Sequence, residues 1–236
     1  MILKKYGPIL FLLLLLLHCL SIAFEWSEIR FFSKLALVPF LMFILAAFNG
    51  LSFKNQSWLP WLGLLGAFAG DWLLATPGEI YFLLGMLGFM TTHVCNSLYF
   101  LKLQPLQPGK LKPAMIAMIV LVIFCSLIVF QIKDQLGTML LPIMAYMGII
   151  SLMTILAANL AASESLNRNA IKYFIPGAAF FVASDGLLAL NKFLLHNRNF
   201  DIPVMITYGL AILLLTLGFV NTAWLAKKIP SNGSRG

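Results

Sequence analysis

Two aspartates carry the chemistry this sequence makes possible. Asp71 and Asp185 lie inside apolar stretches, and only Lys34 shares that setting; the other 21 of 24 charged residues fall in loops, tails or helix ends. A charge inside a bilayer costs at least about 2.5–3.5 kcal/mol on insertion scales, so it faces a cavity or a partner and marks function. The plainer reading is a buried pair that fixes helix packing. Two carboxyl groups in one low-dielectric cavity resist being ionised together, so one keeps its proton and the other loses it. The pair then offers an acid and a base at once, the logic of glycosidases and aspartic proteases. The same pair could instead relay protons or bind a cation in a transporter.

The aspartates sit in matching contexts. Residues 66–75 read G-A-F-A-G-D-W-L-L-A and residues 180–189 read F-F-V-A-S-D-G-L-L-A, an offset of 114. Either the chain is built from two parallel four-helix halves, or two Leu- and Ala-rich stretches coincide.

The surrounding chain is made to span a membrane. Of 236 residues, 61% are apolar and 10% charged, and mean hydropathy is +0.95. Soluble domains carry about 45–50% apolar and roughly 25% charged residues, so soluble enzymes, nucleic-acid modules and disordered proteins are excluded. Crossing about 30 Å of hydrocarbon takes roughly 20 apolar residues. Eight stretches qualify, at 7–24, 31–49, 58–75, 80–101, 113–130, 137–158, 173–191 and 203–225, within one integral membrane domain covering 1–236. The expected fold is an all-α polytopic helical bundle. Breakers separate the spans at Asn55-Gln56-Ser57, Thr76-Pro77-Gly78, Gln104-Pro105, Pro108-Gly109 and Asn197-Arg198-Asn199. The loops are too short for a soluble catalytic domain. The first span has signal-peptide features in Lys4-Lys5 and Ser21-Ile22-Ala23, but it is long enough to be a retained helix, the reading preferred.

Basic residues orient the spans. One side holds 11 Lys and Arg, among them Lys4, Lys5, Lys54, Lys110, Lys227, Lys228 and Arg235, and the other holds Arg30, Lys133, Lys192 and Arg198. The excess places both termini in the cytoplasm. The net charge of +8 is thereby read as topology rather than as nucleic-acid binding. Cys19, Cys95 and Cys125 lie in apolar runs and suggest no disulfide framework. No His/Cys cluster has metal-ligand spacing.

At about 1.5 Å per residue, Asp71, Asp185, Lys34 and Tyr208 fall within roughly 5–9 Å of the outer boundary. They form a polar layer there, unless Lys34 snorkels outward. His93 lies deeper, and helical spacing aligns it roughly with Asn96 and Tyr99; it lines a cavity or bonds a neighbouring helix. His18 receives no role. Gly63, Gly66 and Gly70 allow close helix approach, and Met115 and Met118 read as lipid or core contacts.

With these residues in place the sequence resembles the lysoplasmalogenase, or YhhN-like, family of small multi-helix membrane proteins. The resemblance rests on Gly70-Asp71, on Gly85-x-x-x-Phe89-x-x-x-His93, on Gly177-Ala178-x-x-Phe181-x-x-Ser184-Asp185, on Thr207-Tyr208 followed by Ala211, and on Lys34 early in the second span. Two departures stand out. Asn96 occupies a place where the family often has an aromatic residue, and Ile212 one where a glutamine is expected. They bear on head-group or chain preference rather than on the aspartates. The resemblance implies hydrolysis of the vinyl ether bond of lysoplasmalogens to a fatty aldehyde and glycerophosphoethanolamine or glycerophosphocholine, with no metal or organic cofactor. It implies a lysophospholipid substrate from the surrounding membrane lipid, Asp71 and Asp185 as the acid/base pair, and Lys34, His93, Asn96, Ser184 and Tyr208 around the substrate. It also suggests a bacterial inner membrane. From the residues alone, an ion-coupled transporter using the same aspartates, or a structural membrane protein, stays open.

Overall fold

Long apolar runs with few breakers have one low-energy form in lipid, because each backbone N–H and C=O must find its partner within the chain segment. The computed structural model describes the backbone of residues 2–49 and 58–228 and the side chains of residues 6–48 and 58–225. The expected Asn55-Gln56-Ser57 turn, Lys54 and Arg235 lie outside the described residues, as do the side chains of Lys4, Lys5, Lys227 and Lys228. Every element among the described residues is helical. The long helices are α1 (Ile2–Ala23), α2 (Ser27–Asn49), α3 (Trp58–Ala75), α4 (Glu79–Leu103), α5 (Lys112–Leu136), α6 (Leu140–Asn159), α7 (Ile175–Leu190) and α8 (Asp201–Lys228).

Six stretches of the described residues are long and apolar enough to cross a membrane: Tyr6–Ala23, Ser27–Phe48, Trp58–Ala75, Lys112–Ala162, Asn167–Leu195 and Arg198–Leu225. The fourth contains both α5 and α6, joined by the 3-10 turn Gly137–Met139. Helix α4 is outside the set; Thr91, Thr92, His93, Asn96 and Ser97 interrupt its apolar run. The chain is an integral membrane protein, all-helical among the described residues. Helix α5 runs further than its sequence suggests, to Leu136, since no Gly or Pro intervenes before Gly137. Lys133 and Asp134 therefore close the helix instead of starting a loop.

Side-chain bonds define two ends of the bundle. At one end Arg30 pairs with Asp201 at 2.7 Å and Arg198 with Glu25 at 3.0 Å, and Asn191 donates to Asp201. At the other, Asn159 donates to the Gln104 carbonyl, and Asn169 donates to the Gly218 carbonyl and to Thr222. Polar bonds thus tie helices that are distant in sequence where apolar packing has little directional preference.

Helices α3 and α4 make the most extensive interhelical contact. Its basis is glycine. A Cβ on Gly88 would stand 2.7 Å from the backbone nitrogen of Gly70, and one on Gly66 2.7 Å from the Gly88 carbonyl. This close approach fixes Gly70, and with it Asp71, against α4. Pro176 holds a second lesson. It lies near the start of α7 but inside the helical stretch Asn167–Leu195. The turn before it, Ala170–Phe174, is a π-helix. That wider turn relieves the missing N–H and the ring clash with the preceding carbonyl.

Candidate active site

Helices α1, α2, α3, α4, α7 and α8, with the turn that carries Lys192, build a polar cavity of about 200 Å³ inside the bundle, near the Arg30–Asp201 end. Lys34 from α2, Asp71 from α3, Ser184 and Asp185 from α7 and Tyr208 from α8 all line it. Five of the seven residues expected around the chemistry are therefore brought together, from segments up to 174 positions apart in a chain with no other means of joining them.

Asp71 is almost wholly buried, 2% exposed. Tyr208 donates its hydroxyl proton to Asp71 Oδ2 at 2.6 Å, and Lys34 Nζ stands 3.8 Å from Oδ1. Lys34 points inward, settling between the two expectations for it in favour of the polar layer. A phenol donor and an ammonium neighbour both serve an ionised carboxylate. The ring of Tyr208 is held edge-on by Phe89 and Phe181, with centroids 5.7 and 5.6 Å away. These aromatic contacts give the hydroxyl one direction in which to point.

Asp185 has a different company. Tyr146, from α6, donates to its Oδ2 at 2.6 Å. His93 Nε2 lies 3.0 Å from the Tyr146 oxygen and 3.8 Å from Asp185 Oδ2. Because the phenol has one proton and gives it to the carboxylate, the imidazole must donate Nε2–H to the phenol oxygen. His93 is fully buried, and its Nδ1 faces Met153 Sδ at 3.3 Å. A hydrogen-bonded line thus runs from His93 through Tyr146 to Asp185. His93 contacts Tyr146 and is not among the residues lining the polar cavity.

Asn96 stands apart. It donates to Met153 Sδ at 3.7 Å and abuts Gly63 of α3, one turn from His93 and away from the polar cavity. Helical spacing aligned it with His93 correctly, but that face meets α3 and α6 there rather than open space. Ser184 donates to the Val204 carbonyl, tying α7 to α8 beside Asp185.

The cavity also holds residues that sequence reasoning left aside. Arg30, Lys192 and Asp201 line it, with His18, whose Nδ1 meets Ser33 Oγ at 2.9 Å. Their charges had been explained by topology, so their second role was hidden. Tyr146 was missed because its hydroxyl is not a charge. A search for hydroxyls in the apolar sixth span would have found it. Among the described residues no group of three His, Cys, Asp or Glu is placed to hold a metal ion. What the arrangement offers is two carboxyl groups, each with its own phenol donor, one next to an ammonium and the other next to an imidazole, under a rim with basic side chains.

Comparison with known proteins places this sequence among relatives. The YhhN family matches residues 29–219. A protein named Lysoplasmalogenase from Mycobacterium bovis (strain ATCC BAA-935 / AF2122/97) is 26% identical over 186 residues, spanning 77% of this chain and 66% of its own length. Its namesake from Mycobacterium tuberculosis (strain CDC 1551 / Oshkosh) gives the same figures. Lysoplasmalogenase TMEM86B from Rattus norvegicus is 30% identical over 171 residues, spanning 72% of this chain and 65% of its own. The chain thus matches just under two thirds of the length of these relatives. No solved structure matches it.

Proposed function

The chain belongs to the YhhN family, and from that premise we propose that it is a membrane hydrolase that cleaves the vinyl ether bond of lysoplasmalogens. Its products are a fatty aldehyde and glycerophosphoethanolamine or glycerophosphocholine. The observation that carries the reading is the meeting of Asp71 and Asp185 in one buried cavity, in two unlike settings. The names of the curated relatives supply the substrate class.

The reaction needs an acid and then a base. Asp185, protonated, gives its proton to the outer alkene carbon, leaving an oxocarbenium ion. Asp71, ionised beside Lys34 and Tyr208, offsets that cation and takes a proton from the water that attacks it. The product is a hemiacetal. Its hydroxyl proton passes to the Asp185 carboxylate, Asp71 returns its proton to the glycerol oxygen, and the carbon–oxygen bond breaks to release aldehyde. Both aspartates end as they began, and one water is consumed. Lys34, with Arg30 and Lys192 at the rim, attracts the phosphate.

The basic-residue count orients the molecule with eight crossings and both termini cytoplasmic, so the head group lies toward the outer boundary.

The test is aldehyde release from a panel of purified lysophospholipids, followed by mass spectrometry. Aldehyde should come from vinyl ether substrates, and Asp71→Asn and Asp185→Asn should each lower the rate at least about 100-fold, the usual weight of a general acid or base. Wild-type rates in both folded variants would refute the acid/base pair. Fatty acid from ester-linked lipids would point to another hydrolysis.

A further inference from the structure

The polar cavity accounts for a head group, but a lysophospholipid also has a long tail. Asp185 lines a second, apolar chamber of about 70 Å³ on its other side. Phe82, Phe89 and Leu188 border both spaces, so the carboxylate stands at their junction. A bond placed at Asp185 would have phosphate chemistry on one side and hydrocarbon on the other. Beyond the chamber the lining continues. Cys125 of α5 and Met147 of α6 border both the chamber and a groove of about 550 Å³ on the outer face of these helices. Gly148 and Ser151 continue that groove, and a Cβ on Gly148 would meet open space. Helix α5 is the least covered of the long helices near it: Ile119, Val122, Ile123 and Leu127 are all exposed, as suits a lipid-facing wall.

Resting on the reading of the protein as a lysophospholipid hydrolase, we propose that the apolar chamber beyond Asp185 is the tail site. A single hydrocarbon chain runs from the junction past Cys125 and Met147 and leaves between α5 and α6 into the bilayer. The chamber is narrow, walled by the rings of Phe82, Phe124 and Phe193, so it takes one chain and excludes a two-chain lipid. On this path the tail passes Cys125 and Met147 into the groove, so its length is not limited by a closed floor. Met147 is the gate-width residue, determining which chains pass.

Photo-crosslinking tests this without turnover. The probe is a single-chain alkyl-ether lysophosphatidylcholine, which lacks the vinyl ether bond, with a diazirine in the middle of its tail, added to the full chain in detergent. Adducts are expected on peptides holding Phe124–Ile128 and Tyr146–Ile150. The same alkyl-ether lysophosphatidylcholine without the diazirine, at about ten times its Kd, should reduce them about tenfold, as occupancy requires, and glycerophosphocholine should not. Met147→Trp should lose turnover of long-chain substrates while a short-chain vinyl ether analogue is still cleaved. Competed adducts on α1, α2 or α8 instead, or no competed adducts at all, would overturn the tail site. Competed adducts on α5 and α6 in a protein that releases no aldehyde would support the site and sink the reaction.

Discussion

Each of the two aspartates has one tyrosine as its closest donor, and this makes the phenols informative. Tyr208 serves Asp71 and Tyr146 serves Asp185, both at 2.6 Å. A hydrogen bond to a charged group is worth about 1.5–3 kcal/mol. Tyr208→Phe should therefore lower kcat for vinyl ether hydrolysis by roughly 10- to 100-fold, with the smaller change in KM. Tyr146→Phe should do the same, by destabilising the carboxylate that Asp185 becomes on giving up its proton, and should also break the hydrogen-bonded line from His93. If His93 acts only through that phenol, His93→Gln in the Tyr146→Phe background should add little further loss, which a double-variant comparison of kcat reads directly. Lys34→Met should raise KM for phosphate-bearing lipids, checked by steady-state kinetics. The two carboxylates and Lys34 were legible in the sequence because a charge in an apolar run is conspicuous. Tyr146 was not, since one hydroxyl scarcely alters hydropathy and nothing local marks its partner.

Helix packing turns those residues into a site. The glycine contact between α3 and α4 allows no side chain where Gly88 meets Gly70. Gly88→Val should cost about 1–3 kcal/mol by forcing the helices apart, seen as a lower Tm in detergent and as lost activity through displacement of Asp71. Gly148→Ala is the matched control. Its Cβ meets nothing within 4 Å, so Tm should hold or rise slightly, as expected for alanine over glycine in a helix. The spacing Gly66-x-x-x-Gly70 pointed to close approach, and the partners Gly85 and Gly88 were present in the fourth span. Which helix would receive the motif was not legible, because the spacing specifies a smooth face and no particular neighbour. The π-turn before Pro176 was invisible for a similar reason. A proline near a helix start is ordinarily harmless, and only the continuation of the helix backward to Asn167 creates the conflict.

The whole molecule is polarised. The end tied by Arg30–Asp201 and Glu25–Arg198 carries the polar cavity, and the opposite end is tied by Asn159 and Asn169. The proposed orientation, with both termini cytoplasmic, predicts that a membrane-impermeant thiol reagent labels Arg198→Cys in intact cells and Lys110→Cys only after permeabilisation. The reverse pattern would invert the orientation and put head-group release on the cytoplasmic side. The background for the experiment is clean: Cys19 and Cys95 are buried, and Cys125 faces the α5–α6 groove.

Composition alone determined that this chain is helical and lives in a membrane, because 24 charged residues cannot cover a soluble surface of 236 residues and lipid leaves the backbone no form but the helix here. The same scarcity exposed Lys34, Asp71 and Asp185. What only the tertiary structure decided is who stands beside them. The aspartates, separated by 114 positions and similar in local sequence, receive unlike partners: ammonium and Tyr208 for one, Tyr146 and His93 for the other. Hydrophobic periodicity says which faces are apolar, but in lipid every apolar face has an acceptable neighbour. The choice among them is made by glycine contacts and a few polar bonds between distant helices, and those are properties of the packed bundle.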